Sequence, residues 1–151
     1  MEMKIRRVDN SLPMPEYKTD GAVGLDLYAR ENVSVCPGHV ATIPLNVAIQ
    51  VPPGTCGGLL PRSSTFRKYG LILQNSLGVI DQDFCGDNDE ICALVFYPER
   101  PYHGPDTAPS IAWIERGERL FQLVIFNVEK PEIVEVESLG NPDRGGFGST
   151  G

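Results

Sequence analysis

The segment Gly78-Val79-Ile80-Asp81-Gln82-Asp83-Phe84-Cys85-Gly86 places a carboxylate, Asp81, directly after an apolar pair. A carboxylate at a strand end can hold and deprotonate a water molecule, and partial burial raises its pKa toward that task. Asp83 has the same strand parity, so on a regular strand both acids share a face. The competing reading makes them turn carboxylates that cap backbone N–H groups. Leu60-Pro61-Arg62-Ser63-Ser64 sets a guanidinium and two hydroxyls at a helix start, which suits an anion such as phosphate. A capping serine beside a solvated arginine is the plainer alternative. Asp26 interrupts the apolar strand Gly24–Ala29 and reads either as an acid exposed on the pleat or as an outer ligand of magnesium through water. Gln122 lies in the otherwise apolar run Leu120–Phe126, where a buried amide must bond to backbone or to substrate. The tail Arg144-Gly145-Gly146-Phe147-Gly148-Ser149-Thr150-Gly151 combines a positive charge, glycines, hydroxyls and one aromatic. It lacks the Walker lysine and the strand–loop–helix setting of a P-loop. It can still close over a nucleotide, with Phe147 on the base and Arg144 and backbone N–H groups at the phosphates. A disordered terminus is the alternative.

The elements that position these residues are mostly strands. Ile5 to Val8, Gly24 to Ala29, Val33 to Val35, Cys56 to Leu60, Leu71 to Leu73, Val79-Ile80, Ile91 to Tyr97, Arg119 to Val128 and Ile133 to Val136 carry strand period. Val40 to Val51 is a further run, interrupted by Pro44, which fits an edge, a bulge or a break. One short helix is expected from about Ser64 to Tyr69, capped by Ser63 or Ser64 and ended by Gly70 in a left-handed conformation. The 16 glycines and 13 prolines mark turns between short strands, including Pro37-Gly38 and Val51-Pro52-Pro53-Gly54. Pro98 to Pro109 reads as a long surface loop. The fold class is therefore all-β, a sandwich or barrel with one short helix and a C-terminal arm.

The chain has 151 residues, room for one ordinary domain. Its formal net charge of -7 leaves no surplus to attract a nucleic-acid backbone. Its apolar stretches are too short to cross a membrane, and the charged start MEMKIRRVDN is not a secretory signal. Cys36, Cys56, Cys85 and Cys92 form no CxxC pair, so zinc is not expected and buried thiols in a cytoplasmic protein (or one of a host cell or organelle) are.

Taken in order, five segments resemble the motifs of the trimeric dUTPase family: GLDLYA at Gly24–Ala29, PRSS at Pro61–Ser64, NSLGVIDQDFCG at Asn75–Gly86, ERLFQL at Glu118–Leu123 and RGGFGSTG at Arg144–Gly151. The resemblance spans nearly the whole chain. It implies a distorted jelly-roll β-sandwich over residues 1–139 and an arm, 140–151, that closes over an active site shared between subunits of a homotrimer. It implies hydrolysis of dUTP to dUMP and pyrophosphate with Mg²⁺, by water attack at the α-phosphorus. Asp81 resembles the aspartate that activates the water. Asn75 and the backbone of Gly78, Val79 and Ile80 resemble a β-hairpin pocket that reads uracil. Phe84 stands where the family usually has a tyrosine under the deoxyribose. Arg62, Ser63, Ser64 and Gln122 resemble the phosphate contacts, with Ser64 where many members have glycine. Asp26 resembles the acid at the magnesium hydration shell. Arg144 resembles the γ-phosphate arginine and Phe147 the aromatic cap, with Gly148 and Ser149 among the arm's substrate-binding residues. Arg144 and Phe147 stand closer together than in the family pattern, and the Asp87–Glu115 stretch is longer. The same fold serves dCTP deaminase, including a bifunctional form. That enzyme needs a glutamate where Ile91 stands, and strand parity turns the adjacent Glu90 to the opposite face. A non-catalytic trimeric regulatory β-domain is the other rival; both Asp81 and the arm argue against it.

Overall fold

Most of the segments with strand period become short antiparallel strands. The computed structural model describes residues 1–99, 111–143 and 145. In chain order the elements are β1 (Lys4–Arg7), β2 (Leu25–Leu27), β3 (Val33–Val35), β4 (Val40–Pro44), β5 (Val47–Gln50), β6 (Thr55–Pro61), α1 (Thr65–Tyr69), β7 (Ile72–Leu73), β8 (Gly78–Ile80), β9 (Cys92–Phe96), β10 (Ala112–Ile114) and β11 (Phe121–Asn127). Two larger sheets have the orders β2-β11-β6-β8 and β4-β9-β7, and two further pairs join β1 to β5 and β3 to β10. Strands so far apart in sequence yet adjacent in a sheet give the crossed connections of a distorted jelly roll. Both larger sheets send residues into one core, among them Leu27, Leu59, Phe121 and Leu123 from the first and Ile43, Ala93 and Val95 from the second.

The break at Pro44 is a corner between sheets. β4 ends there and pairs with β9, whereas β5 pairs with β1. Asn46 makes the corner at φ 67°, a left-handed conformation that asparagine tolerates better than most residues. It is fully buried, and its amide group both accepts from the Asp9 N–H, at 2.6 Å, and donates to the Asp9 carbonyl, at 3.1 Å.

Three expectations change. Ile133 to Val136 is not a strand: Ile133 is 96% exposed and the segment pairs with no strand among the described residues. Alternation supplies a candidate face, but a strand also needs a neighbouring edge. Ala112–Ile114 is a strand that the long-segment reading overlooked, with Ala112 and Ile114 buried on either side of an exposed Trp113. The thiols are not mainly buried: all four cysteines are free, and Cys36, Cys85 and Cys92 are exposed. The loop reading of Pro98–Pro109 falls largely outside the described residues.

The helix lies where it was expected. Gly70 closes it at φ 70°, and its N–H donates to the Phe66 carbonyl. A Cβ at Gly70 would stand 2.6 Å from Tyr97 Cε2, a ring buried in the core. Position 70 therefore excludes a side chain twice, by dihedral and by space. Gly70→Ala is expected to destabilise the fold by about 2 kcal/mol or more. The shift of the urea midpoint at constant m-value measures this.

Candidate active site

One sheet brings two of the expected phosphate contacts, Arg62 and Gln122, together with Asp26, the expected outer ligand of magnesium. Its register sets Asp26 of β2 opposite Gln122 of β11, and Gln122 opposite Leu60 of β6. Directly opposed residues share a face, and Arg62, two positions beyond Leu60, returns to it. This face lies opposite the one that Leu25, Leu27 and Leu123 present to the core. Asp26 is nevertheless only 7% exposed. Two guanidiniums cover it: Arg62 Nε lies 3.1 Å from Oδ1 and Arg119 Nη1 lies 3.1 Å from Oδ2. A carboxylate at this burial would be costly without such partners.

Arg62 is held from several directions. Its Nη1 donates to the Arg119 carbonyl at 3.1 Å, and its backbone N–H donates to the Leu120 carbonyl at 2.8 Å. The same Leu120 carbonyl accepts from the Thr65 hydroxyl, which is buried. The turn between β6 and α1 is thus bolted to the start of β11. Ser64 occupies the N-cap position with φ -85° and ψ -13°, an ordinary right-handed conformation that serine adopts as readily as the family's glycine. Its side chain makes no capping bond, which corrects the capping expectation there and leaves an exposed hydroxyl beside Arg62. Gln122 donates through Nε2 to the Pro61 carbonyl at a long 3.4 Å. Its other end rests against Gly24, where a Cβ would come within 2.0 Å of Gln122 Oε1.

A second network braces α1 against the same turn. Lys68 Nζ and the Tyr69 hydroxyl both donate to Glu118 Oε1, and the Glu115 N–H donates to Oε2 at 2.9 Å. Partial burial pushes the Glu118 pKa up, but hydrogen bonds from Lys68, Tyr69 and Glu115 outweigh it and leave the carboxyl below its ordinary range. Burial is also the largest cause of the raised pKa of the Tyr69 phenol.

The remaining candidates lie elsewhere in the chain. β8 ends at Ile80, and residues 81–84 form a turn in which the Phe84 N–H donates to the Asp81 carbonyl at 3.3 Å. Asp83 is therefore not on the strand, and the shared face expected for Asp81 and Asp83 does not arise. Asp81 is exposed, and Phe84 is 39% exposed. β7 pairs with β9 and β8 with β6, so the turn through Asn75 and Ser76 joins two sheets and is not a hairpin between its own strands. Gly78 is buried against Leu59, with Asn75 nearby: a Cβ there would lie 3.7 Å from Asn75 Nδ2. Ile80 faces Gly57, and Arg62 stands five positions further on, just past the end of β6. At strand rise that separates the Asp81 end of the sheet from Arg62 by roughly 17 Å. Arg144, Phe147, Gly148 and Ser149 lie outside the described residues.

Among the described residues no cluster of three or more His, Cys, Asp or Glu is placed to hold a metal ion. Magnesium carried by substrate phosphates needs less: it keeps several waters and asks for few carboxylates. Asp26 has lone pairs beyond the two its arginines use, so this donor set fits an ion held mainly by substrate. Arg119 is the residue that sequence reasoning missed. The signal was Asp26 itself, since a carboxylate inside an apolar strand demands cations nearby.

The fold is all-β with one short helix, and one end of its four-stranded sheet gathers two guanidiniums around a buried carboxylate. The dUTPase family model matches residues 10–99. A deoxyuridine 5'-triphosphate nucleotidohydrolase of Corynebacterium diphtheriae is 39% identical over 97% of this chain and 91% of its own length. The SPbeta prophage-derived enzyme of that name from Bacillus subtilis is 37% identical, covering 100% of this chain and 99% of its own. A staphylococcal phage 80alpha dUTPase variant solved with dUpNHpp superposes with a TM-score of 0.80 at 25% identity, over 99% of this chain and 98% of its own. The chain belongs to the dUTPase family.

Two expected outcomes follow from these contacts. Because the folded Glu118 carboxyl is depressed, its contribution to stability is present above the unfolded value of 4.5 and is lost as pH falls through the lower folded value. The stability difference between the parent and Glu118→Gln should therefore be largest near neutrality and narrow as the pH drops below about 4. Urea unfolding across that range reads it. Gly24→Ala should push Gln122 aside and lower kcat/KM for a nucleoside triphosphate about tenfold or more. Its melting temperature should change little, because the displaced atoms are the far end of a flexible side chain.

Proposed function

We propose that this chain hydrolyses dUTP to dUMP and pyrophosphate, in a site assembled between copies of a homotrimer. Family membership supports the reaction. The observation that carries the arrangement is Arg62, fixed by Asp26 and Arg119 beside the Gln122 amide and the Ser64 hydroxyl. A guanidinium held this way meets phosphate oxygens without first losing side-chain freedom. Ser63 and Ser64 add hydroxyl and N–H donors at the same turn.

Asp81 is the proposed base. Its exposed carboxylate, just past β8, orients a water and takes its proton as the water attacks the α-phosphorus, with pyrophosphate leaving in line. The backbone of Gly78, Val79 and Ile80 with Asn75 reads the uracil edge, and Phe84 packs under the deoxyribose. A backbone edge that offers fixed donors and acceptors refuses cytosine, whose amino group stands where uracil has an acceptor. Asp26 would accept hydrogen bonds from the waters of a magnesium ion carried by the phosphates, and such an ion would supply neutralisation of charge on the leaving group. Residues 140–151, with Arg144, Phe147, Gly148 and Ser149, form the arm that closes over the nucleotide above the 1–139 core.

A site shared between copies has a physical reason. Residues that touch neighbouring atoms of one triphosphate cannot lie roughly 17 Å apart on a rigid sheet. The phosphate face of one copy is therefore paired with the Asp81 end of another. Three exposed free thiols fit a reducing, cytoplasmic setting.

Deamination of dCTP is disfavoured by the surroundings of Glu90. Ile91, at the position where a deaminase carries its glutamate, is 1% exposed in the core. Glu90 binds Arg30 through both oxygens, at 2.8 and 3.0 Å, and accepts from the Asn46 N–H. The test follows pyrophosphate and ammonia separately with dUTP and dCTP. Pyrophosphate from dUTP alone is expected, and ammonia from dCTP would overturn the reading. Asp81→Asn should lower kcat by about a thousandfold or more while a non-hydrolysable dUTP analogue still binds. Unchanged turnover in that variant would remove Asp81 as the base.

A further inference from the structure

The contacts around Asp26 do more than neutralise it. We infer that Arg119 is a positioning residue for Arg62, and that it controls triphosphate affinity without touching the substrate. This rests on the reading above, in which Arg62 grips the phosphates.

Arg119 holds Arg62 by two separate routes. Its main-chain carbonyl accepts directly from Arg62 Nη1 at 3.1 Å. Its side chain acts through Asp26: Nη1 of Arg119 binds Oδ2 at 3.1 Å, and the other oxygen, Oδ1, binds Arg62 Nε at 3.1 Å. One guanidinium is thereby set by a carbonyl on one edge and a carboxylate on another. These contacts use two of its five N–H groups and fix the plane in which the other three lie. A planar fork held at two edges cannot rotate about its last bonds, so the entropy normally lost on gripping a phosphate has already been lost.

Charge leads to the same assignment. Asp26 is 10% exposed at its side chain, whereas Arg62 and Arg119 are 34% and 36% exposed. With Arg62 as its only partner, the buried carboxylate would cancel the positive charge that a polyanion needs. The second guanidinium leaves the trio with one net positive charge at the surface of a chain whose formal net charge is -7. Arg119 thus lets Asp26 orient Arg62 without neutralising it. Arg119 also lies directly after Glu118, which Lys68 and Tyr69 of α1 hold in place. The clamp is therefore anchored to the helix that follows Arg62 itself.

A double-mutant cycle tests this, with Arg62→Ala, Arg119→Gln and both together, reading the dissociation constants of a non-hydrolysable dUTP analogue and of dUMP. Arg119→Gln should weaken the analogue about tenfold and dUMP less than about twofold, a difference that general unfolding does not produce. Added to Arg62→Ala, it should weaken the analogue by no more than about a further twofold, because the group it positions is gone. Arg119→Lys, which keeps a cation opposite Asp26, should recover part of the loss. If Arg119→Gln does not fold, the cycle is run with Arg119→Lys, and the same lack of additivity is expected. Losses that multiply in the double variant would overturn the inference, as would a folded Arg119→Gln that binds the analogue like the parent. Failure of the functional reading looks different: the parent protein itself would not turn over dUTP, or Arg62→Ala would bind the analogue normally.

Discussion

A carboxylate buried between two guanidiniums ties together three segments of the proposed phosphate face. Asp26 comes from β2, Arg62 from the turn after β6, and Arg119 from the turn before β11. These three segments are far apart in sequence and adjacent in the four-stranded sheet. Burying one acid commits the fold to bringing both cations to it, since either alone leaves the site poorly compensated or uncharged. Neighbouring contacts read as support for this arrangement. The Leu120 carbonyl fixes the Arg62 turn, Glu118 fixes α1 beside it, and the missing side chain of Gly24 leaves Gln122 its place.

Much of the sheet was legible because alternation reports a strand's two faces directly. Phe121, Gln122, Leu123 and Val124 read inside and outside in turn, and the structure buries Phe121 and Leu123 while leaving their neighbours partly open. Pro44 marked an interruption, and the structure makes it a corner. Alternation is silent about pairing. It made a strand of Ile133 to Val136, which has no strand neighbour among the described residues, and it passed over Ala112 to Ile114, where apolar Ala112, Trp113 and Ile114 show no alternation. It also put Asp83 on the face of Asp81, because nothing in the pattern says where β8 stops.

The site was legible in a different way. Motif order brought Asp26, Arg62 and Gln122 onto one list, and strand register explains why they meet. Arg119 stood inside a quoted motif and was not singled out, because a surface arginine before a strand carries no periodic signal. Its role appears only when the partner of Asp26 is sought across the sheet. The same holds for Glu90: parity said that it turns away from Ile91, but only coordinates show Arg30 and the Asn46 N–H occupying its oxygens.

The rigidity that suits Arg62 to the proposed role of anion holder also keeps one copy of this chain from completing the proposed site alone. β6 and β8 are hydrogen-bonded in register, with Gly57 opposite Ile80 and Leu59 opposite Gly78. Packing on that sheet is tight: a Cβ at Gly57 would lie 3.0 Å from both Ile80 and Leu123. No rotamer change carries Asp81 to Arg62 across several residues of such a ladder, and sliding one strand past the other would turn core side chains outward. Two remedies exist in principle, a flexible sheet or a second copy. A flexible sheet would release the guanidinium that Asp26 and Arg119 hold, and with it the advantage of a cation already in place. Assembly between copies keeps each half rigid and brings the halves together as surfaces, so preorganisation of the phosphate face favours a shared site over a self-contained one.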